Sequence, residues 1–139
     1  MKLSKSHKAY FSAAKAVSEL GDFLQTKIGC AVIYKHKIIS SGYNRCKTAP
    51  LQKKYNKYRF PDDDGMHCAH AELMALSPLI DRDDIDFSRV SLYIYREYKH
   101  GGLAPCRCCN SCMHLVKELG IRHIYYTTRD GFAHEEIVY

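Results

Sequence analysis

The sequence predicts an α/β fold in which a mixed sheet lies between helices in a three-layer α-β-α arrangement. Three observations predict it. The elements follow the order helix, strand, strand, helix, strand, helix, strand, which is typical of a mixed sheet with helices on its faces. The first two strands are separated only by the polar break Lys35-His36, which indicates a two-strand antiparallel hairpin. The later strands are each entered through a helix, so we expect them to be parallel and buried.

The first half of the chain contains one helix and the hairpin. Residues 4–20 place apolar side chains at helical spacing with lysines between them, and Gly21 ends this amphipathic helix. Residues 27–34 and 37–43 are rich in β-forming residues and make the hairpin strands. Residues 44–65 lose all periodicity and contain two prolines and an acidic turn, which indicates a long functional loop.

The middle of the chain returns to regular structure. Residues 66–79 have helical spacing, and Pro78 limits the far end of this second helix. An acidic connection at residues 81–86 leads to a third strand at residues 90–95. Residues 96–108 form a loop with two adjacent glycines at its turn.

A short helix and a fourth strand follow the loop. The helix has three apolar residues at helical spacing, namely Met113, Val116 and Leu119. Gly120 stops it, and residues 121–127 are rich in β-branched and aromatic residues. The pattern of residues 130–139 does not distinguish a strand from a loop.

Length and composition narrow the class of protein. The chain has 139 residues, of which 46% are hydrophobic and 26% charged, and these values are ordinary for one soluble globular domain spanning residues 1–139. No apolar stretch approaches the roughly 20 residues needed to span a membrane. Residues 1–8 have a positive cluster without an apolar core behind it, so we expect a cytoplasmic rather than a secreted protein.

Cysteine use and charge indicate the kind of ligand. Four of the seven cysteines fall within residues 106–112, which is typical of metal binding or thiol chemistry in a reducing compartment. Cys30 and Cys46 are predicted to be buried thiols. The net charge of +6 suits an anionic partner such as a nucleotide phosphate or a nucleic acid, although such charge is also common on soluble domains.

His70-Ala71-Glu72 and the cysteine cluster together predict a zinc site. One imidazole and two thiolates leave the fourth tetrahedral position of Zn²⁺ free for water, which is the arrangement of a catalytic site. Glu72 could stand beside this water and move its proton without binding the metal. Taken alone, a Glu in a first helical turn complements the helix dipole, and a CxxC pair is also a redox motif. His67 and Cys68 are expected to support a second metal, to support His70 from outside the metal site, or simply to pack beside it.

The run His70-Ala71-Glu72, followed by a P-C-x-x-C-like segment, resembles the cytidine and deoxycytidylate deaminase superfamily. The resemblance extends through residues 72–76 and to the element order of most of the chain, and deoxycytidylate-deaminase-like proteins are the most similar group. It implies a cytidine-deaminase-like fold, a Zn²⁺ cofactor and hydrolytic deamination of a cytosine-type base, with Glu72 as the proton shuttle. It also implies a homo-oligomer.

Two C-x-x-C registers overlap in the cysteine cluster. Cys106 with Cys109 has the preceding Pro105 that the family pattern requires. Cys109 with Cys112 lacks that proline but places Gly120-Ile121 where deoxycytidylate-type members have Gly-Ile. We favour Cys109 and Cys112 as the metal ligands beside the histidine, because moving the metal by one turn relative to the helix end would disturb the packing of this helix. Cys106 would then be a bystander.

The resemblance also indicates substrate contacts. In the family, a Gly-x-Asn segment after the second strand contacts the sugar, and Gly42-Tyr43-Asn44 occupies that place here. Asn44 is therefore an expected substrate-binding residue. The backbone near Ala71 is expected to shape the pocket for the base.

Three functions from different classes stay open. The leading one is a free-nucleotide enzyme that converts dCMP to dUMP and meets the phosphate with a basic residue of the long loop, one of Arg45, Lys47, Lys53, Lys54, Lys57 and Arg59. The second is a deaminase of cytosine or adenine in RNA or single-stranded DNA, with bases stacked on Tyr55, Tyr58 and Phe60. The third is a non-catalytic zinc-binding module, against which the intact Glu72 argues.

Overall fold

The computed structural model describes residues 1–21, 26–45, 49–58 and 69–139. Its five strands are β1 (Lys27–Tyr34), β2 (Lys37–Tyr43), β3 (Ser91–Glu97), β4 (His123–Thr128) and β5 (Gly131–Glu136). Its α-helices are α1 (Lys5–Ser18), α2 (Pro50–Tyr55), α3 (Ala71–Leu76) and α4 (Asn110–Leu119). Short 3₁₀ turns lie at Asn56–Tyr58, Ser77–Leu79 and Phe87–Arg89. Within these described ranges, no helix has the length and apolarity needed to cross a membrane.

The strands form one mixed sheet in the order β2-β1-β3-β4-β5. β1 pairs with β2 and with β3 in antiparallel fashion, and β3 pairs with β4 in parallel fashion. The predicted hairpin, the mixed sheet and the parallel pair entered through a helix are thus confirmed. β5 pairs antiparallel with β4 at the edge of the sheet and occupies the tail that the sequence pattern left undecided. Its side chains are half-buried or exposed, so it lacks the apolar alternation of a strand that packs on a core.

α1 covers one face of the sheet. The helix begins after Ser4, whose hydroxyl accepts the main-chain N–H of His7, while the His7 ring accepts the N–H of Ser4. Phe11 and Ala14 are buried against the sheet. A Cβ on Gly29 of β1 would lie 1.9 Å from the carbonyl oxygen of Ala14, so only glycine allows this close approach.

α3 and α4 cover the other face and complete the three layers. Leu73 and Leu76 of α3 and Leu115 of α4 are almost fully buried in the larger core cluster of the protein. A Cβ on Gly42 of β2 would lie 2.5 Å from the main-chain nitrogen of Ala75, so α3 rests directly on the second strand. This contact fixes the start of α3, where His70 and Glu72 lie.

Two boundaries differ from the sequence prediction. Residues 44–65 were expected to be an irregular loop, but α2 and a 3₁₀ turn lie within them. Pro50 suits the first helical turn, and the helix is too short to show a period. The second predicted helix, residues 66–79, is α-helical only from Ala71 to Leu76 among its described residues, because Pro78 limits it to a 3₁₀ turn thereafter. Its predicted start at residues 66–68 lies outside the described residues.

Candidate active site

His70 is held at the N-terminus of α3. It is the N-cap residue, with extended φ and ψ of −81° and 150°, and its main-chain N–H donates to Oε1 of Gln52 at 2.9 Å. The preceding residue, Ala69, exchanges two main-chain hydrogen bonds with Arg45, which follows β2. The end of β2 and the side chain of Gln52 therefore position the histidine segment.

Cys109 and Cys112 lie at the N-terminus of α4. Cys109 is the N-cap residue and Cys112 belongs to the first turn, so one turn of helix presents both sulfur atoms on the same side. Nδ1 of His70 lies 3.4 Å from Sγ of Cys109 and 3.3 Å from Sγ of Cys112. The three donor atoms all lie within 4.8 Å of one another.

This donor set fits Zn²⁺. Zinc bonds of about 2.3 Å to sulfur and about 2.0–2.1 Å to nitrogen, at tetrahedral angles, place two ligand atoms roughly 3.5–3.8 Å apart. The two nitrogen–sulfur distances are within a few tenths of an ångström of that range. Among the residues that the structure describes, three protein donors converge here, and three donors rather than four are typical of a catalytic zinc site.

The two thiols of the group have opposite protonation preferences. A hydrogen bond from Cys112 lowers the pKa of Cys109 to about 3, and His70 and the Ser111 hydroxyl act in the same direction. Burial raises the pKa of Cys112 well above its usual value. Of the pair, Cys109 is thus the more readily deprotonated, and thiolate is the form of cysteine that binds metals.

Glu72 is buried beside this group. Glu72 is only 5% exposed, and this burial raises the pKa of its carboxyl group. The nearby His70 and a hydrogen bond from Cys112 lower that pKa. The net direction is upward. A raised pKa makes the carboxylate a better proton acceptor than an exposed one, and proton acceptance followed by release is what acid–base chemistry requires.

The structure separates the two overlapping cysteine registers. Cys106 does not join His70. Its thiol lies 3.3 Å from the carbonyl oxygen of Ile94 and 3.0 Å from the hydroxyl of Thr127, and burial raises its pKa to about 12. Cys109 and Cys112, the pair favoured on sequence grounds, are the two that lie beside the histidine.

Some of the other predicted cysteines and histidines lie within the part of the chain that the structure describes, and some lie outside it. Cys30 is fully buried, as predicted. The remaining predictions of this kind, for Cys46, His67 and Cys68, lie outside the described residues.

Asn44 and Ala71 are both buried close to the histidine segment. Oδ1 of Asn44 accepts the main-chain N–H of Ile28 at 2.9 Å, and Nδ2 donates to the carbonyl oxygen of Thr26 at 2.8 Å. The Asn44 amide thus holds the start of β1 in place. Ala71 is fully buried as the first residue of α3, and a Cβ on Gly42 would lie 2.8 Å from its carbonyl oxygen.

The aromatic residues of α2 and the turn after it contact α4. Tyr55 is 3% exposed and its hydroxyl hydrogen-bonds to the carboxylate of Glu118. The ring of Tyr58 stacks on the imidazole of His114, with a centroid distance of 3.6 Å. Three lysines of the same segment are exposed, namely Lys53, Lys54 and Lys57. Lys47, Arg59 and Phe60 lie outside the described residues.

Sequence reasoning missed Gln52 and Ser111. Both are fully buried polar residues, and their side chains lie 3.4 Å apart between the histidine segment and the cysteine helix. Ser111 could have been noticed as the polar residue between two proposed ligands. Gln52 had no such signal, because its segment reads as an exposed loop rich in lysine.

Comparison with known proteins identifies relatives of this fold and site. Residues 4–128 match the family described as the cytidine and deoxycytidylate deaminase zinc-binding region. The dCMP deaminase of cyanophage S-TIM5 in apo form is 19% identical, with a TM-score of 0.63, over 92% of this chain and 86% of that one. No curated protein sequence matches the chain.

Two further solved structures have the same fold. The cyanophage enzyme in complex with dCMP and dUMP is 18% identical, with a TM-score of 0.62, over 92% of this chain and 85% of that one. The cytidine deaminase of Burkholderia pseudomallei is 20% identical, with a TM-score of 0.60, over 94% and 91% of the two chains. The predicted cytidine-deaminase-like fold and the predicted superfamily are confirmed.

Proposed function

The chain belongs to the cytidine and deoxycytidylate deaminase family, and from this premise we propose that it hydrolyses dCMP to dUMP and ammonia. It is an enzyme of the zinc-dependent hydrolytic deaminase type, and its cofactor is Zn²⁺. The observation that carries the proposal is the meeting of His70, Cys109 and Cys112 beside the buried Glu72. We propose that residues 1–139 act as one catalytic domain.

In this proposal His70, Cys109 and Cys112 hold the zinc ion and Glu72 moves protons. A zinc ion bound by these residues would lower the pKa of a water molecule and so supply a nucleophile at neutral pH. Cys109 contributes a sulfur whose pKa is lowered by its hydrogen bond from Cys112, and His70 contributes Nδ1. Glu72 keeps its carboxyl out of bulk solvent and within reach of the Cys112 thiol, so it stands at the edge of the metal group.

The proton transfers assigned to Glu72 balance the reaction. The carboxylate takes a proton from the attacking water as its oxygen bonds to C4 of the base, and delivers it to the ring nitrogen N3. It then carries the second proton of the water to the exocyclic nitrogen, the C4–N bond breaks, and ammonia leaves a uracil-type carbonyl behind. One group that both accepts and releases protons serves every transfer.

Two kinds of support favour a free nucleotide as the substrate. The lysines of α2 and its following turn are exposed and offer charges to a phosphate, in a chain of net charge +6. The cyanophage relative was solved with dCMP and dUMP, which is a property of that protein. Stacking of nucleic-acid bases on this segment finds less support, because Tyr55 and Tyr58 already pack against α4.

The roles of Asn44 and Ala71 as substrate contacts remain part of the proposal. The Asn44 amide uses Oδ1 and one hydrogen of Nδ2 in hydrogen bonds to the start of β1 and to Thr26. Its second Nδ2 hydrogen would be the donor to a sugar hydroxyl. A reducing, cytoplasmic location is proposed because thiol ligands must stay reduced to bind metal. Assembly into a homo-oligomer is also proposed, and light scattering would measure it.

A substrate panel tests the proposed function. Protein of measured zinc content is incubated with dCMP, cytidine, dCTP and a cytosine-containing oligonucleotide, and ammonia release is followed. We expect dCMP to have the highest kcat/KM. Preference for the oligonucleotide, with binding that falls steeply with salt, would replace this proposal with a polynucleotide deaminase. Zinc binding without ammonia release from any of the substrates would favour a non-catalytic zinc module.

A further inference from the structure

We propose that Gln52 is a positioning residue of the metal site, which holds the His70 segment and the start of α4 in register and directs the Ser111 hydroxyl toward the sulfur of Cys109. The inference deepens the proposed function and rests on it, because it takes His70 and Cys109 to be zinc ligands.

Gln52 is a buried amide whose hydrogen bonds join three segments. It is 0% exposed on α2, and a buried polar side chain is stable only when its polar atoms are bonded. Its Oε1 accepts the main-chain N–H of His70 at 2.9 Å. Its Nε2 donates to Oδ1 of Asn56 at 2.8 Å and lies 3.4 Å from Oγ of Ser111.

The His70 contact fixes which way the amide faces. A main-chain N–H can only donate, so the oxygen of the Gln52 amide must point toward His70 and the NH₂ group must point toward Ser111. Ser111 therefore accepts a hydrogen bond from Gln52, and its own hydroxyl hydrogen is left to donate elsewhere. The sulfur of Cys109 lies 3.0 Å from that hydroxyl oxygen, and as a zinc-bound thiolate it could only accept this hydrogen bond.

This chain of hydrogen bonds links the two segments that carry the proposed ligands. His70 and Cys109 are 39 positions apart in the sequence, yet one side chain bonds to the first segment and, through Ser111, to the second. The N–H of His70 lies at the N-cap of α3, where the helix provides no acceptor of its own. Groups that orient metal ligands typically change metal affinity by about 10- to 100-fold when they are removed.

Three substitutions separate positioning from general stability. Gln52→Met keeps the length of the side chain and removes all its hydrogen bonds. Gln52→Glu keeps an acceptor for the His70 N–H but replaces the donor that faces Ser111. Ser111→Ala removes the donor to Cys109. The matched control is Ser40→Ala, which removes a 2.6 Å hydrogen bond to the carbonyl of Ala75 on α3 and does not reach the cysteines.

The measurements are made on the full chain with metal ions as probes. Zinc affinity is determined by competition with a chelator, and the melting temperature of each metal-free protein reports its stability. Co²⁺ substitution reports the sulfur ligands, because a thiolate that loses a hydrogen-bond donor gives electrons more readily and its charge-transfer band moves to longer wavelength.

We expect Gln52→Met, Gln52→Glu and Ser111→Ala each to weaken zinc binding by about 10- to 100-fold and to shift the cobalt band. Ser40→Ala should lower the melting temperature without either effect. The effect of Ser111→Ala should shrink in the Gln52→Met background, since the hydroxyl is then no longer oriented. Wild-type zinc affinity in Gln52→Met, an unshifted cobalt band in Gln52→Glu, or additive losses in the double variant would overturn the proposal.

Failure of the proposed function would be visible separately. In that case the wild-type protein would bind no zinc, or His70→Ala would bind it as tightly as the wild type does. Failure of the positioning proposal alone leaves wild-type zinc binding intact and sensitive to His70, with the Gln52 variants equal to the wild type.

Discussion

Replacing Glu72 with glutamine should remove most of the turnover and leave the zinc in place. Glutamine has nearly the shape of the carboxylic acid and carries no charge, so it fits a position that is only 5% exposed without burying a carboxylate. It has no proton to exchange at neutral pH. Glu72 is not one of the three converging donors, so the variant should hold as much zinc as the wild-type protein.

The expected loss follows from the surroundings of the carboxyl group. A positioned acid–base group typically contributes about 10²- to 10⁴-fold to the rate, or roughly 3–5 kcal/mol of barrier. Glu72 is buried, its pKa is raised by that burial, and it contacts the Cys112 thiol, so it is held in place and its carboxylate is a stronger base than an exposed one. We therefore expect kcat to fall by about 10³- to 10⁴-fold, toward the upper end of that range.

Three measurements check this prediction on the same preparations: ammonia release from dCMP, zinc content and thermal unfolding. The control is Glu97→Gln, which changes an exposed carboxylate 3.5 Å from the ammonium of Lys15 and should leave turnover unaltered. If Glu72→Gln kept more than about a tenth of the wild-type turnover, the assignment of the proton shuttle would be refuted. If it lost its zinc, Glu72 would have to be counted among the ligands.

Three further sets of substitutions test the metal ligands, the packing of α3 and a surface ion pair. Alanine at Cys109 or Cys112 should abolish stoichiometric zinc binding, whereas alanine at Cys106, which bonds to Ile94 and Thr127, should retain it; zinc loss at Cys106 but not at Cys112 would reverse the ligand choice. Gly42→Ala would bring a methyl group within 2.5 Å of the Ala75 nitrogen, displace α3 and lower the free energy of unfolding by about 1–3 kcal/mol together with zinc affinity. In the control Gly101→Ala the new methyl group has open space around it, so the variant should lose about 1 kcal/mol of unfolding free energy from backbone strain and keep its zinc affinity. If Gly42→Ala also kept its zinc affinity, the contact between Gly42 and α3 would not control the site. Arg107 pairs with Glu135 and lowers the pKa of its carboxyl group. Glu135→Gln should therefore reduce the free energy of unfolding by at most about 1 kcal/mol at pH values above the pKa of Glu135 in the unfolded state. This difference should vanish as the pH falls through the pKa of Glu135 in the folded state. Urea titrations across pH measure this difference, and one that persisted in acid would contradict the ion-pair explanation.

The elements that carry chemistry were predictable because their signals are local. His70-Ala71-Glu72 and the cysteines lie within short runs, and the hairpin strands agree with the predicted residues 27–34 and 37–43. A run of alternating or periodic residues reports the face that a strand or helix buries, and these elements bury one. The layers and the mixed sheet follow from their order.

The features that were missed depend on contacts between distant segments. α2 is shorter than two turns, so its buried residues, Gln52 and Tyr55, form no visible period. β5 is an edge strand without an apolar face. The two cysteine registers could not be separated by spacing alone, because a shift of three residues is nearly one helical turn. The structure separates them, because Cys106 lies against Ile94 and Thr127 whereas Cys109 and Cys112 lie beside His70.

The burial of the cysteines also affects how fast air oxidises the protein. Cys106, Cys108 and Cys112 are each less than a tenth exposed. A thiol must meet its oxidant, so the oxidation of these three buried cysteines is governed by how often the start of α4 opens, whereas the partly exposed Cys109 can meet an oxidant without such an opening. Each opening exposes neighbouring thiols together, and a first sulfenic acid would have a partner within reach to form a disulfide. We therefore expect oxidation of the three buried thiols to follow the local opening equilibrium, and zinc to slow it by binding the closed form.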